Sequence, residues 1–110
     1  MTQKAGRQQV LFGRTYCMTT GCGKLYITVN AIEGQPFELF TNMGKAGGCA
    51  SAQCESIGRL VSYALRIGGT PEDLIKELKG IRCHQPADDV QSCADAVAQV
   101  LELIRRASEV

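Results

Sequence analysis

Tryptophan is absent from this chain of 110 residues, and aromatic residues make up only 5% of it. That poverty argues against a surface on which nucleic-acid bases stack. Histidine occurs once, and no Ser–His–Asp catalytic set can be argued around it. No pair of carboxylates stands apart from solvated surface, and the adjacent Asp88 and Asp89 read as a wet loop. Charge of one sign is also missing: 12 Lys and Arg face 11 Asp and Glu, a net +1 with the basic residues scattered. Neither nucleic acid nor an anionic membrane is implied.

No apolar run approaches the ~20 residues of a membrane span. The opening MTQKAGRQQ has no apolar stretch before a small-residue cleavage site, so it is not a secretory signal. The expected location is cytoplasmic, where structural disulfides are uncommon. The six cysteines then point to metal binding or redox chemistry before a disulfide scaffold. The length gives one domain with a modest core, for which added staples are useful. Met1 and a complete final helix read as a free-standing protein.

Residues 1–9 are polar and expected to be a disordered tail, leaving a single domain over 10–110. Arg14–Thr19 reads as a first strand, with Tyr16 and Met18 on one side. A Thr20-Gly21-Cys22-Gly23 turn follows. Lys24–Asn30 is the clearest strand, with Leu25, Ile27 and Val29 alternating against polar residues. A Glu33-Gly34 hairpin leads to a third strand, Pro36–Thr41, with Phe37, Leu39 and Thr41 opposite Glu38 and Phe40. The pattern predicts a three-stranded antiparallel meander.

Past a glycine-rich junction, 42–48, a first helix is predicted from Cys49 to Ile67. Ala50, Cys54, Ile57, Val61 and Ala64 form its buried stripe, widened by Leu60, Leu65 and Ile67. Ser51, Glu55, Arg59, Ser62 and Arg66 line its wet face. Thr70 caps a second helix, Pro71 opens it, and Glu72 and Asp73 suit its N-terminal end. Ser92 and Asp95 make a capping-box-like start to a third helix, which runs to about Ala107. Its inner face carries Cys93, Val97, Val100, Leu101 and Ile104. The fold class is therefore α+β: a meander packed against about three helices.

Cys22, Cys49, Cys83 and Cys93 each sit at a boundary between elements. A helix N-terminus favours the thiolate, and four thiolates close a tetrahedral zinc site. The spacing is not that of a zinc ribbon: no C-x₂-C pair occurs, and the intervals are 26, 33 and 9 residues. Burial as small core residues is the alternative. Cys54 follows Cys49 by five residues, about 140° around a helix, and reads as core. Cys17 reads as an inert strand position, and His84 as solvent-exposed beside Cys83. Gly44-Lys45-Ala46-Gly47-Gly48 before a helix also raises anion binding, although no P-loop order is present.

Four stretches together resemble a known family: TGCGKLYITVN (20–30), GQPFELFTNMGKAGGCASAQCESIGRLVSYALRIGG (34–69), LIKELKGIRC (74–83) and SCADAV (92–97). They are similar to the TSCPD domain over about residues 10–104. That domain ends many adenosylcobalamin-dependent (class II) ribonucleotide reductases and also occurs as small separate proteins. The resemblance implies a metal site, zinc by expectation, at Cys22, Cys49, Cys83 and Cys93. It implies an accessory or regulatory role beside a ribonucleotide reductase catalytic chain; a homodimer is expected separately, from an apolar stripe on the first helix wider than one small sheet covers. It does not bring catalysis or adenosylcobalamin binding, since 110 residues cannot house the reductase barrel. Ala94 stands where the family has proline, and His84 stands after GIRC where proline is common. Cys17 and Cys54 occupy positions where the family uses other residues. Two alternative functions stay open. One is a thiol redox module using Cys17/Cys22 or Cys83/Cys93. The other is a nucleotide-binding regulator using the Gly44–Cys49 loop.

Overall fold

The computed structural model describes residues 3–44, 48–83, 86–87 and 89–108, the side chains of 107 and 108 excepted. Strands β1 (Phe12–Thr20), β2 (Gly23–Ile32) and β3 (Gln35–Met43) precede helices α1 (Gly48–Arg66), α2 (Pro71–Leu78) and α3 (Cys93–Ser108). The sheet has the order β1-β2-β3, antiparallel throughout. This is the α+β meander that the alternation predicts, with each strand extended by a few residues.

Both hairpins are tight. Thr20 pairs with Gly23 across Gly21-Cys22, and Ile32 pairs with Gln35 across Glu33-Gly34. Glu33 and Gly34 both take positive φ, 52° and 80°, as a type I′ turn demands. A register shift at Asn30/Ala31 lets Ala31 meet Pro36. Proline therefore enters beside an irregularity, where a strand tolerates it.

Leu25, Ile27 and Val29 of β2 lie on the covered face with Leu39 and Met43 of β3. They join Cys54, Val61 and Leu65 of α1, Ile75 of α2, and Val97, Val100 and Leu101 of α3 in one core. Each such side chain fully removed from water contributes roughly 1.5–3 kcal/mol. The first half of α3 is buried almost all round, Ala94, Ala96 and Ala98 included. Small residues there let α2 and the sheet close around it.

Most of the predicted α1 stripe holds, with Ala50 and Ile57 packed against the core, but Leu60 does not widen it. Its buried positions are Cys54, Gly58, Val61 and Leu65, whereas Leu60 is 68% exposed. The cause is that α1 lies against the outer edge of β3, so Gly58 and Ser62 approach the strand while Leu60 is left outside. Gly58 meets the strand backbone: a Cβ there would stand 3.3 Å from the Leu39 carbonyl oxygen. Ser62, predicted wet, accepts from the Leu39 N–H at 2.8 Å and donates to the Leu39 carbonyl at 2.9 Å. The open edge of β3 is thereby satisfied by a helix.

Glu38 is a second departure. It faces away from the core, as the alternation predicts, yet is only 2% exposed. Arg7 donates to both of its oxygens, at 2.8 and 2.9 Å, and Asn30 Nδ2 donates at 2.6 Å. The Arg7 guanidinium, helped by Asn30 and the charge of Arg66, holds this carboxyl below the usual range against the effect of burial. Residues before β1 thus pack on the sheet, where the composition predicts a loose tail. Ala5 adds a reciprocal tie: its N–H donates to the Arg66 carbonyl, and its carbonyl accepts from the Arg66 guanidinium. Gly13 makes room beneath, because a Cβ there would run into the Val29 carbonyl and the Asn30 side chain.

Candidate metal centre

Three connections converge where the cysteines lie. Cys22 sits in the β1–β2 turn, and its N–H donates to Thr20 Oγ1 at 3.2 Å. The same hydroxyl donates to the Gly23 carbonyl at 2.7 Å, locking the turn. Cys93 is the first residue of α3 and packs against the core, as does Cys22. Cys83 lies in the segment between α2 and α3, and its N–H donates to the Gln91 carbonyl at 2.9 Å.

That segment is held by one carboxylate. Asp95 Oδ1 accepts from the Gly80 N–H at 2.8 Å, and Oδ2 accepts from the Gln91 N–H at 2.9 Å. Gln99 Nε2 donates to Oδ2 at 2.8 Å and to the Asp89 carbonyl at 2.7 Å. The capping-box reading foresees the Ser92 cap, and Ser92 Oγ does accept from the Asp95 N–H at 3.1 Å. It does not foresee that Asp95 clamps both ends of the segment carrying Cys83. The available signal was the burial that a side chain one turn into a core helix must have.

The thiols influence one another. Burial raises the Cys22 thiol above its ordinary value, with Cys93 and then Cys83 adding to the effect. Burial also pushes Cys54 up to about 12, with Cys93 and Cys22 contributing. Cys54 is buried in the α1 stripe as predicted, and it also borders the cysteine group, which its stripe position alone did not reveal. Cys49 is exposed on the first turn of α1. Residues 45–47, just before it, and His84 lie outside the described residues. Cys17 is exposed on the sheet face opposite the core, so it does not share a side with Cys22.

The family model of the TSCPD domain matches residues 1–105. The chain belongs to the TSCPD-domain family. The match takes in the segment before β1, whose Arg7 anchors on Glu38. No curated protein and no solved structure gives a significant match.

Zinc is the ion expected at these cysteines, and Cys22, Cys83 and Cys93, all partly buried, are thiol donors of the kind it takes. In geometry the set is not closed. Among the described residues, no three His, Cys, Asp or Glu side chains form a group able to hold a metal ion. Nor is any described helix long and apolar enough to cross a membrane.

Proposed function

We propose that this TSCPD domain is a zinc-stabilised accessory domain for a ribonucleotide reductase catalytic chain, acting in binding or regulation and not in catalysis. The observation that carries this reading is the convergence of Cys22, Cys83 and Cys93 from three separate connections, close enough for the first to feel the other two. Cys49, at the N-terminal turn of α1, is the proposed fourth ligand, placed where free backbone N–H groups favour a thiolate. When bound, zinc supplies a four-way crosslink whose binding energy appears as folding energy. The chain's own residues do the positioning. Thr20 fixes the turn of Cys22, Asp95 fixes the segment of Cys83, and Ser92 fixes the start of the helix that bears Cys93. Adenosylcobalamin belongs to a full-length reductase, and a cytoplasmic location follows from the same role.

The redox alternative draws less support. Cys17 is exposed on the sheet face opposite the core while Cys22 packs against the core, so that pair is not brought together. The nucleotide alternative rests on a loop whose centre, 45–47, lies outside the described residues. The deciding experiment is elemental mass spectrometry on protein purified without chelator or affinity metal, with thiols titrated in the same sample. The expected result is one zinc per chain with Cys17 and Cys54 left unligated. Six reactive thiols and no metal would overturn the reading.

A further inference from the structure

We propose that this protein forms a two-fold dimer through the free edge of β1, joining two meanders into one continuous antiparallel sheet. The tight hairpin at Gly21-Cys22 makes Thr20 and Gly23 a hydrogen-bonded pair. Pairing then alternates along the ladder, so Met18, Tyr16, Arg14 and Phe12 bond inward to β2. The N–H and C=O groups of Gly13, Thr15, Cys17 and Thr19 point outward. The same count predicts that Leu39 faces away from β2 on the other side of the sheet, and Ser62 is bonded to it there. No described backbone group pairs with the outer edge of β1.

Such an edge is a template for another strand. Edge strands are usually protected by proline, charged side chains (lysine above all), a bulge or a covering element. β1 has little such protection: its sequence FGRTYCMTT has no proline or lysine and a single charge, Arg14, and its register against β2 is unbroken. Phe12 is 84% exposed at one end of the strand, with Val10 exposed just before it.

A second copy of this chain is the occupant the edge fits. With the two-fold axis at Tyr16, Gly13 faces Thr19 of the other copy and Thr15 faces its Cys17. Every outward backbone group of β1 then finds a partner in one register. The only charge in β1, Arg14, falls opposite Met18, so like charges are not brought face to face. The net charge of +1 leaves little repulsion between copies. Growth also stops at two. The opposite edge, β3, is already occupied by Gly58 and Ser62 of α1, so the contact is isologous and closes. The inference does not depend on bound metal.

Sedimentation of the full chain over the micromolar range, with Cys17→Pro and Thr15→Cys beside wild type, tests it. Proline at 17 deletes an outward N–H and leaves the ladder to β2 intact. Wild type is expected to sediment as a dimer, and Cys17→Pro as a folded monomer with unchanged zinc content. Oxidised Thr15→Cys is expected to give a disulfide between the introduced thiol and Cys17 of the other copy. Hydrogen-bonded neighbours stand ~5.5 Å apart at Cα, within disulfide range. This second readout does not depend on how Cys17→Pro folds. A wild-type monomer throughout, or a dimer without that crosslink, would overturn the proposal.

Discussion

The Ser62 hydroxyl grips both backbone groups of Leu39, accepting from the N–H at 2.8 Å and donating to the carbonyl at 2.9 Å. One side chain on α1 thus does for β3 what a fourth strand would do. Leu39 is 1% exposed, so no water replaces the bond. Ser62→Ala is expected to cost roughly 1–3 kcal/mol, the penalty of leaving a buried backbone group unpaired. Urea unfolding measures it. A variant as stable as wild type would mean that the edge relaxes and is not held by this contact.

The Arg7–Glu38 pair gives stability a pH dependence with a definite sign. The Glu38 carboxyl is held below its ordinary value, so the pair's contribution is fully present above the unfolded value of about 4.3. It is lost as pH falls from there through the lower folded value. Melting temperatures of wild type and Glu38→Gln are expected to differ at neutral pH and to converge only as pH falls through the lowered folded value. Arg7→Ala is expected to follow the Gln variant. A gap that stays constant with pH would remove the ionised pair as its cause.

Much of this fold was legible because its signals are local. Leu25, Ile27 and Val29 alternate, Thr70 and Pro71 mark a helix start, and Glu33-Gly34 marks a hairpin; each holds in the structure. What escaped was tertiary. Ser62 and Glu38 are polar, and periodicity assigns polar residues to water. Only the approach of α1 to a strand edge, or of Arg7 from 31 positions away, shows why they are buried. The cysteine site divides in the same way. Cys22, Cys83 and Cys93 could be placed at element boundaries from the sequence, but Cys54 could not be seen to border Cys22 and Cys93. Its position is fixed by the packing of α1 on β3, which a helical stripe does not encode.

Asp95 is the residue through which α3 holds the Cys83 segment, since it accepts from Gly80 and Gln91 on either side of it. Asp95→Asn replaces one acceptor oxygen by a donor facing a backbone N–H. The expected cost is about 1–3 kcal/mol. Hydrogen exchange at Gly80, Cys83 and Gln91 is expected to accelerate more than exchange in β2. Uniform acceleration across the molecule would reduce Asp95 to a general stability residue with no particular hold on the segment.

Cys49 and Cys54 separate the ligand role from the packing role, and two substitutions decide between them. Cys54 is 2% exposed among apolar neighbours, an environment that opposes the thiolate zinc requires. Cys54→Ala is expected to remove a buried sulfur, cost roughly 0.5–1.5 kcal/mol as small core truncations do, and leave one zinc per chain. Cys49 contributes no core packing, being exposed at the helix start, so Cys49→Ser should be nearly silent unless the thiol binds metal. As a ligand it is expected to lower zinc content and bring the melting temperature close to that of chelator-treated wild type. Elemental analysis and thermal melts on the same samples read both variants. If Cys49→Ser keeps its zinc while Cys54→Ala loses it, the fourth donor is the buried thiol beside Cys93, and the role of Cys49 must be sought elsewhere.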